Sequence, residues 1–219
     1  MKTDLKLKQD ILAELEYEPS VNAADIGVLV KDGSVTLNGF VRTFGEKWDA
    51  VSVAKRVAGV KAVADDITVR LPNSHFRTDG EIAADAASAI GLSSLIPKGA
   101  VDVTVRQGWV TLAGSVEWWY QKEAAQEVVR NVTGVKGISN GITITPKQAT
   151  SSDVSTAIKT AFERHALLDS DKITVETSGS KVVLHGVLDN CLEREEAERA
   201  AWSAPGVSEV QNNIVIHLW

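Results

Sequence analysis

The sequence has little of several residue types that usually mark chemistry or a compartment. It contains a single cysteine, Cys191, so no disulfide can form within the chain. Cysteine content therefore does not indicate an oxidising or a reducing compartment. No glycine-rich phosphate loop occurs. Four histidines are scattered along the chain without an H-E-x-x-H or cysteine–histidine motif: His75, His165, His185 and His217. The sequence therefore predicts no catalytic residue, no metal site and no cofactor.

Long apolar runs are also missing. No stretch approaches the roughly 18 apolar residues of a membrane-spanning helix. Residues 1–16 lack the apolar core and the cleavage site of a signal peptide. We therefore expect no transmembrane segment and a cytoplasmic location, or a periplasmic one if the native N-terminus was trimmed.

An excess of positive charge is absent as well. Lys and Arg number 23 against 29 Asp and Glu, which gives a net charge of −6. Contacts to nucleic-acid phosphates need clustered basic side chains, so a nucleic-acid partner is not expected. Residues 148–219 hold 6 basic and 11 acidic side chains, against 10 and 11 in residues 1–72 and 7 and 7 in residues 73–147. An anionic surface should therefore prefer the first two thirds of the chain.

What is present is a threefold repeat. The segment G-S-V-T-L-N-G-F-V from Gly33 aligns without gaps with G-W-V-T-L-A-G-S-V from Gly108 and S-K-V-V-L-H-G-V-L from Ser180. Two glycines, 20 residues apart, recur in every copy: Gly39 and Gly59, Gly114 and Gly134, Gly186 and Gly206. So many matched positions indicate three copies of one unit. We predict domains over residues 1–72, 73–147 and 148–219, called modules 1, 2 and 3 below.

Each module has the pattern of a small mixed domain. An amphipathic helix comes first, with Leu5, Ile11, Leu12 and Leu15 as its apolar stripe in module 1. Two alternating strands follow, separated by a turn such as Asp32-Gly33. A second helix and a last strand complete the module. The predicted fold class is α+β, with three tandem αββαβ modules, each a three-stranded sheet with two helices on one face.

Several residues have predicted local roles. Asp79 and Asp153 are plausible N-caps of the first helices of modules 2 and 3, and Ala157 belongs to the apolar stripe of the latter. The earlier glycine of each module, such as Gly39, marks a bulge or a close backbone approach. The later one, such as Gly59, suits a C′ cap.

The repeat resembles a known family. The run D-I-G-V-L-V-K-D-G-S-V-T-L-N-G-F-V, followed by A-K-R-V-A-G-V-K-A-V-A-D-D-I-T-V, is similar to the BON domain of bacterial osmotic-stress and nodulation proteins. The resemblance implies the αββαβ fold. It also implies a binding module that associates with phospholipids or membranes in osmotic or envelope stress. The family motif transfers no catalytic residue, so we expect a protein that is not an enzyme.

An aromatic cluster distinguishes module 2. Trp118, Trp119 and Tyr120 are consecutive, where the other copies have Thr43-Phe44-Gly45 and Asn190-Cys191-Leu192. The middle position is apolar in all three copies, which predicts a core side chain. Trp118 either covers a seam between modules or is an exposed anchor for lipid or a protein. With Lys122 and Arg130 nearby, these three aromatics are the candidate contact residues.

Two functions remain open from the sequence. The first is a binding or adaptor protein that contacts phospholipid head groups or envelope and stress proteins. The second is an intracellular sensor of a small ligand or ion that binds at a seam between modules. The acidic run on the last helix is interpreted as a solvated face, with Glu193, Glu195, Glu196 and Glu198.

Overall fold

The computed structural model describes residues 2–72, 76–146, 151–165 and 168–216, with side chains only from residue 154 onward in the third range. Module 1 comprises α1 (Asp4–Tyr17), β1 (Ile26–Lys31), β2 (Ser34–Val41), α2 (Phe44–Arg56) and β3 (Ala62–Val69). Module 2 comprises α3 (Asp79–Leu92), β4 (Val101–Arg106), β5 (Trp109–Val116), α4 (Trp119–Arg130), β6 (Gly137–Asn140) and β7 (Thr143–Ile144). Module 3 comprises α5 (Ser151–Arg164), β8 (Ile173–Ser178), β9 (Lys181–Leu188), α6 (Cys191–Trp202) and β10 (Glu209–Ile216). The predicted α+β class with three αββαβ modules is confirmed.

The three sheets share one topology. The first two strands of each module form an antiparallel hairpin, and the last strand lies parallel to the second. A parallel neighbour requires a crossover connection, which the second helix supplies. In module 2 the last strand is divided at Gly141 and Ile142, between β6 and β7, although the Gly141 N–H still donates to the Leu112 carbonyl. The single strand predicted there is therefore two short ones.

Each module has its own apolar core between its helices and its sheet. In module 1 alternate residues of β2 are buried, as the pattern predicted: Val35, Leu37 and Val41. The predicted helix stripes need correction at two positions. Leu5 is 69% exposed, whereas Leu7 is buried one turn before Ile11. Ala157 is exposed.

The N-caps also differ from the prediction. Thr78, not Asp79, caps α3: its hydroxyl accepts from the Glu81 N–H, and the Glu81 carboxylate accepts from the Thr78 N–H. Asp79 is the first helical residue, and its carboxylate accepts from the N–H groups of Gln107 and Gly108 in the hairpin turn. Asp153 lies two residues inside α5 rather than at its cap.

The repeat glycines have separate roles. Gly39, Gly114 and Gly186 have positive φ, and a β-carbon there would collide with the carbonyl oxygens of Asp25, Ala100 and Lys172. This confirms the predicted close approach. Gly59, Gly134 and Gly206 also have positive φ, but they lie three or four residues after their helices end, in the turn towards the last strand. They are turn residues and not C′ caps.

Candidate functional site: the seams between modules

The modules contact one another in a closed triangle, through equivalent positions. In each module the first residue of the second helix packs against the next module: Phe44, Trp119 and Cys191. These three residues align in the repeat, five positions after the shared glycine. The contacts are head-to-tail, from module 1 to 2, from 2 to 3, and from 3 back to 1. Such heterologous contacts close into a ring when the rotation between units allows it.

The 1–2 seam is built on Phe44. Its ring packs against the cores of both module 1 and module 2. Beside it, the guanidinium carbon of Arg130 lies over the Trp48 ring, 5.3 Å from its centroid. This geometry is a cation–π contact.

The 2–3 seam is aromatic. The rings of Trp119 and Trp202 are stacked, with centroids 6.4 Å apart and planes 11° from parallel. Trp118 is half-buried and lines the same seam with Pro146 and Pro205. Glu123, further along α4, is partly desolvated, and this burial raises the pKa of its carboxyl despite the charges of Lys122 and of Arg199 from module 3.

The 3–1 seam has a small side chain and an ion pair. Cys191 is 2% exposed, and it belongs to the core cluster of module 1 rather than to that of its own module. Its thiol donates to the carbonyl oxygens of Val60 and Lys61, at 3.2 and 3.4 Å. Burial raises the pKa of this thiol, so it stays protonated as a donor. Lys55 Nζ and Glu195 Oε1 lie 2.6 Å apart across the seam.

The structure places the candidate contact residues on two different seams. Trp118 and Trp119 are half-buried at the 2–3 seam, and Tyr120 beside them is 50% exposed. Lys122 is half-buried one turn into α4. Arg130 ends that helix and lies at the 1–2 seam, roughly 16 Å along the axis from its start. The five residues thus do not form one patch.

The sequence suggested that the acidic run of α6 is a solvated face, but three of its glutamates have partners in the structure. Glu193 accepts from the Asp189 N–H and from the Asn190 side chain at the start of the helix. Glu195 pairs with Lys55 of module 1, and Glu198 accepts from the Asn212 side chain. The partners of Glu195 and Glu198 come from other elements, so helical spacing alone does not reveal them, whereas Glu193 binds the residues just before its own helix.

A cleft with a volume of about 290 Å³ lies between modules 3 and 1. Its lining combines acidic and basic side chains from both modules, among them Glu18, Asp49, Lys55, Arg56 and Arg199. The aromatic cleft at the 2–3 seam is about 50 Å³ and offers room for little more than water.

Other features narrow the chemistry of the described part of the chain. Within the ranges that the structure describes, no three His, Cys, Asp or Glu side chains are grouped to hold a metal ion. In those same ranges no helix has the length and apolar character needed to cross a membrane. His165 lies 3.6 Å from Glu196, and His185 lies 3.9 Å from Glu176. His75 and His217 lie outside the described residues.

The family model of the BON domain matches this chain three times, over residues 3–70, 78–146 and 150–217. The chain belongs to the BON-domain family. Among curated proteins, this BON protein is 28% identical over 143 residues to Osmotically-inducible protein Y of Escherichia coli K12, covering 64% of this chain and 71% of that protein. The exact module boundaries at residues 72/73 and 147/148 stay a prediction.

Solved structures offer only weak likeness to the whole BON chain. The structural protein CdsD of the type III secretion system of Chlamydia trachomatis has a TM-score of 0.28 and 14% identity, over 97% of this chain and 93% of that one. The PrgH periplasmic domain has a TM-score of 0.24 and 12% identity, over 95% and 99%. Values this low carry no argument about the arrangement of the modules.

Proposed function

We propose that this BON protein is a non-enzymatic binding protein of the osmotic or envelope stress response, which associates with phospholipid head groups. Membership of the family and the similarity to an osmotically inducible protein support the stress role. The observation that supports lipid binding is the aromatic cluster of module 2, which consists of Trp118, Trp119 and Tyr120. Trp118 and Trp119 are half-buried at the 2–3 seam, while Tyr120 next to them keeps half of its surface exposed.

Tyr120 has the chemistry that a lipid boundary selects. Tyrosine presents an apolar ring and a polar tip, and it is enriched where membranes meet water. Modules 1 and 3 have Gly45 and Leu192 at the equivalent position, so the fold does not require an aromatic residue there. Lys122 follows within the same helical turn and adds a positive charge towards anionic head groups.

Vesicle flotation tests this function. We expect the wild-type protein to float with phosphatidylcholine vesicles that contain phosphatidylglycerol, and less with vesicles of phosphatidylcholine alone. Tyr120→Ala should weaken flotation. Trp118→Ala should weaken it as well, because Trp118 lines the 2–3 seam close to Tyr120 in the chain. Tyr17→Ala is the matched control, because Tyr17 is the only other tyrosine and is 83% exposed at the end of α1. Absence of flotation by the wild-type protein would remove the lipid version and leave a protein partner.

A second candidate is a sensor of a small ligand or ion, favoured by the charged cleft at the 3–1 seam. Its volume of about 290 Å³ and its mixed charges suit a small polar solute. A ligand that binds only the folded state raises the melting temperature by mass action. Thermal-shift measurements with KCl, CaCl₂ and ATP test this candidate, with matched concentrations of choline chloride as the control for ionic strength.

A further inference from the structure

The three seams are equivalent in position but not in chemistry. At the last turn of each second helix, aligned residues face the neighbouring module: Lys55, Arg130 and Trp202. Arg130 lies over an aromatic ring and Trp202 stacks on one, whereas Lys55 forms an ion pair with Glu195. The 3–1 seam is therefore the one of the three at which this position is held by opposite charges.

The first residue of the second helix shows the same difference. Phe44 and Trp119 place large rings in the 1–2 and 2–3 seams, and the smaller thiol of Cys191 takes that position in the 3–1 seam. Less apolar surface is removed from water by the smaller side chain, so this position stabilises its seam less, although Ile216 of module 3 also packs against the core of module 1. Modules 1 and 3 also lack a direct linker, since all of module 2 lies between them in the chain.

Salt acts unequally on these contacts. The side chains of Lys55 and Glu195 are 38% and 40% exposed, so dissolved ions reach the pair and screen it. Stacking of Trp119 on Trp202 involves no net charge and is not weakened in this way. The cleft beside the pair also places further charges of both modules, including Arg56 and Arg199, within the reach of solvent.

We propose that the 3–1 seam is an ionic-strength-sensitive latch: rising salt increases the fraction of molecules in which the contact between modules 3 and 1 is open, while the 1–2 and 2–3 seams stay closed. This gives the chain a response to the ionic strength of its surroundings. Opening exposes Cys191 and the turn after α2 that covers it. The inference does not depend on lipid binding, because the latch is defined by contacts within the chain.

Cys191 reports the state of the latch in the wild-type protein, because it is the only cysteine and module 1 covers it. Its rate of labelling by N-ethylmaleimide, a neutral reagent, is measured at fixed pH in low and high KCl and in NaCl. Rates are divided by those of free glutathione in the same solutions. We expect labelling to accelerate by about two- to fivefold at high salt, equally in both salts, which corresponds to the screening of an exposed pair.

Two variants separate the latch from other causes. Lys55→Met combined with Glu195→Leu replaces the ion pair by an apolar pair, and its labelling should be slow and independent of salt. Cys191→Ser combined with Val182→Cys moves the thiol into the core of module 3, where Val182 is fully buried. Labelling there reports unfolding of the module and should not respond to salt.

The proposal is overturned by a salt-independent rate in the wild-type protein, by an equal salt response in the apolar-pair variant, or by an equal response of the thiol at position 182. An effect of KCl without one of NaCl would also overturn it, in favour of a potassium site. Failure of vesicle flotation leaves the latch untouched, so the two proposals fail separately.

Discussion

The indole rings of Trp119 and Trp202 stack across the 2–3 seam, 6.4 Å apart between centroids and 11° from parallel. They belong to the first and last turns of the second helices in adjacent modules, so their contact couples α4 to α6. Aromatic pairs of this kind contribute about 0.5–1.5 kcal/mol beyond the area that they bury.

A double-mutant cycle tests that coupling. We expect Trp119→Leu and Trp202→Leu each to lower the free energy of unfolding by about 1–3 kcal/mol. The double variant should lose about 0.5–1.5 kcal/mol less than the sum, because the stack is already broken by either change. Urea unfolding followed by circular dichroism measures both. Trp48→Leu with Trp202→Leu is the control: these residues lie at different seams, so their effects should add. Strict additivity for Trp119 and Trp202 would contradict the prediction.

Two glycine-to-alanine changes should have opposite effects on the free energy of unfolding, one at a mid-strand glycine and one in a helix. Gly114→Ala would drive a β-carbon into the Ala100 carbonyl oxygen at a positive φ of 129°. We expect a loss of about 2 kcal/mol or more in the free energy of unfolding. Gly91 lies inside α3, and a β-carbon added to it would have no neighbouring atom within 4 Å. Gly91→Ala should therefore gain about 0.5 kcal/mol from helix propensity. If urea unfolding gives Gly114→Ala the stability of the wild type, the close approach is not the reason for the glycine.

The elements of each module follow from the sequence because their signals are local. Alternating valines and leucines, a turn such as Asp32-Gly33 and a threefold register each act within a few residues. The errors arise where two local assignments compete. Leu7 lies four residues before Ile11 and shares its buried face, whereas Leu5 lies six residues before Ile11 and is exposed. Thr78 and Asp79 are both residue types that favour an N-cap, but the carboxylate of Asp79 accepts from the Gln107 N–H in the hairpin turn.

The seams could not be predicted in this way, because their partners are remote in sequence. Lys55 and Glu195 are separated by 140 positions, and no helical or strand periodicity relates them. Position 119 is apolar in all three copies, which predicted a core side chain, whereas Trp119 is half-buried at the 2–3 seam. That its partner is Trp202 depends on how three modules close into a triangle. The sequence does contain one usable signal: one aligned position holds lysine, arginine and tryptophan in the three copies, and Lys55, Arg130 and Trp202 all lie at seams.

The carboxylate of Asp79 makes α3 sensitive to acid. The N–H groups of Gln107 and Gly108 donate to it and lower its pKa below the ordinary 3.8. A lowered pKa means that the charged form is favoured by folding, so this stabilisation is present above the ordinary pKa and is lost as the pH falls through the folded value. We expect Asp79→Asn to lower the melting temperature at pH 7 and to match the wild type in strong acid. Asp102→Asn, at an exposed position of β4, is the control and should change little at either pH. A deficit that persists in acid would contradict the assigned role.

Glu123 should have the opposite dependence on pH. Its desolvation beside the 2–3 seam raises the pKa of the carboxyl above the ordinary 4.5, and Lys122 and Arg199 offset this only in part. Because folding disfavours the charged form, the penalty is absent below the ordinary pKa and is complete once the pH has risen through the folded value. Glu123→Gln should therefore raise the melting temperature at pH 7 and leave it unchanged near pH 3. Asp85→Asn, at an exposed position in the middle of α3, is the control and should not show this gain. A Glu123→Gln variant that is less stable than the wild type at pH 7 would show that the carboxylate holds the seam through Arg199 rather than opposing it.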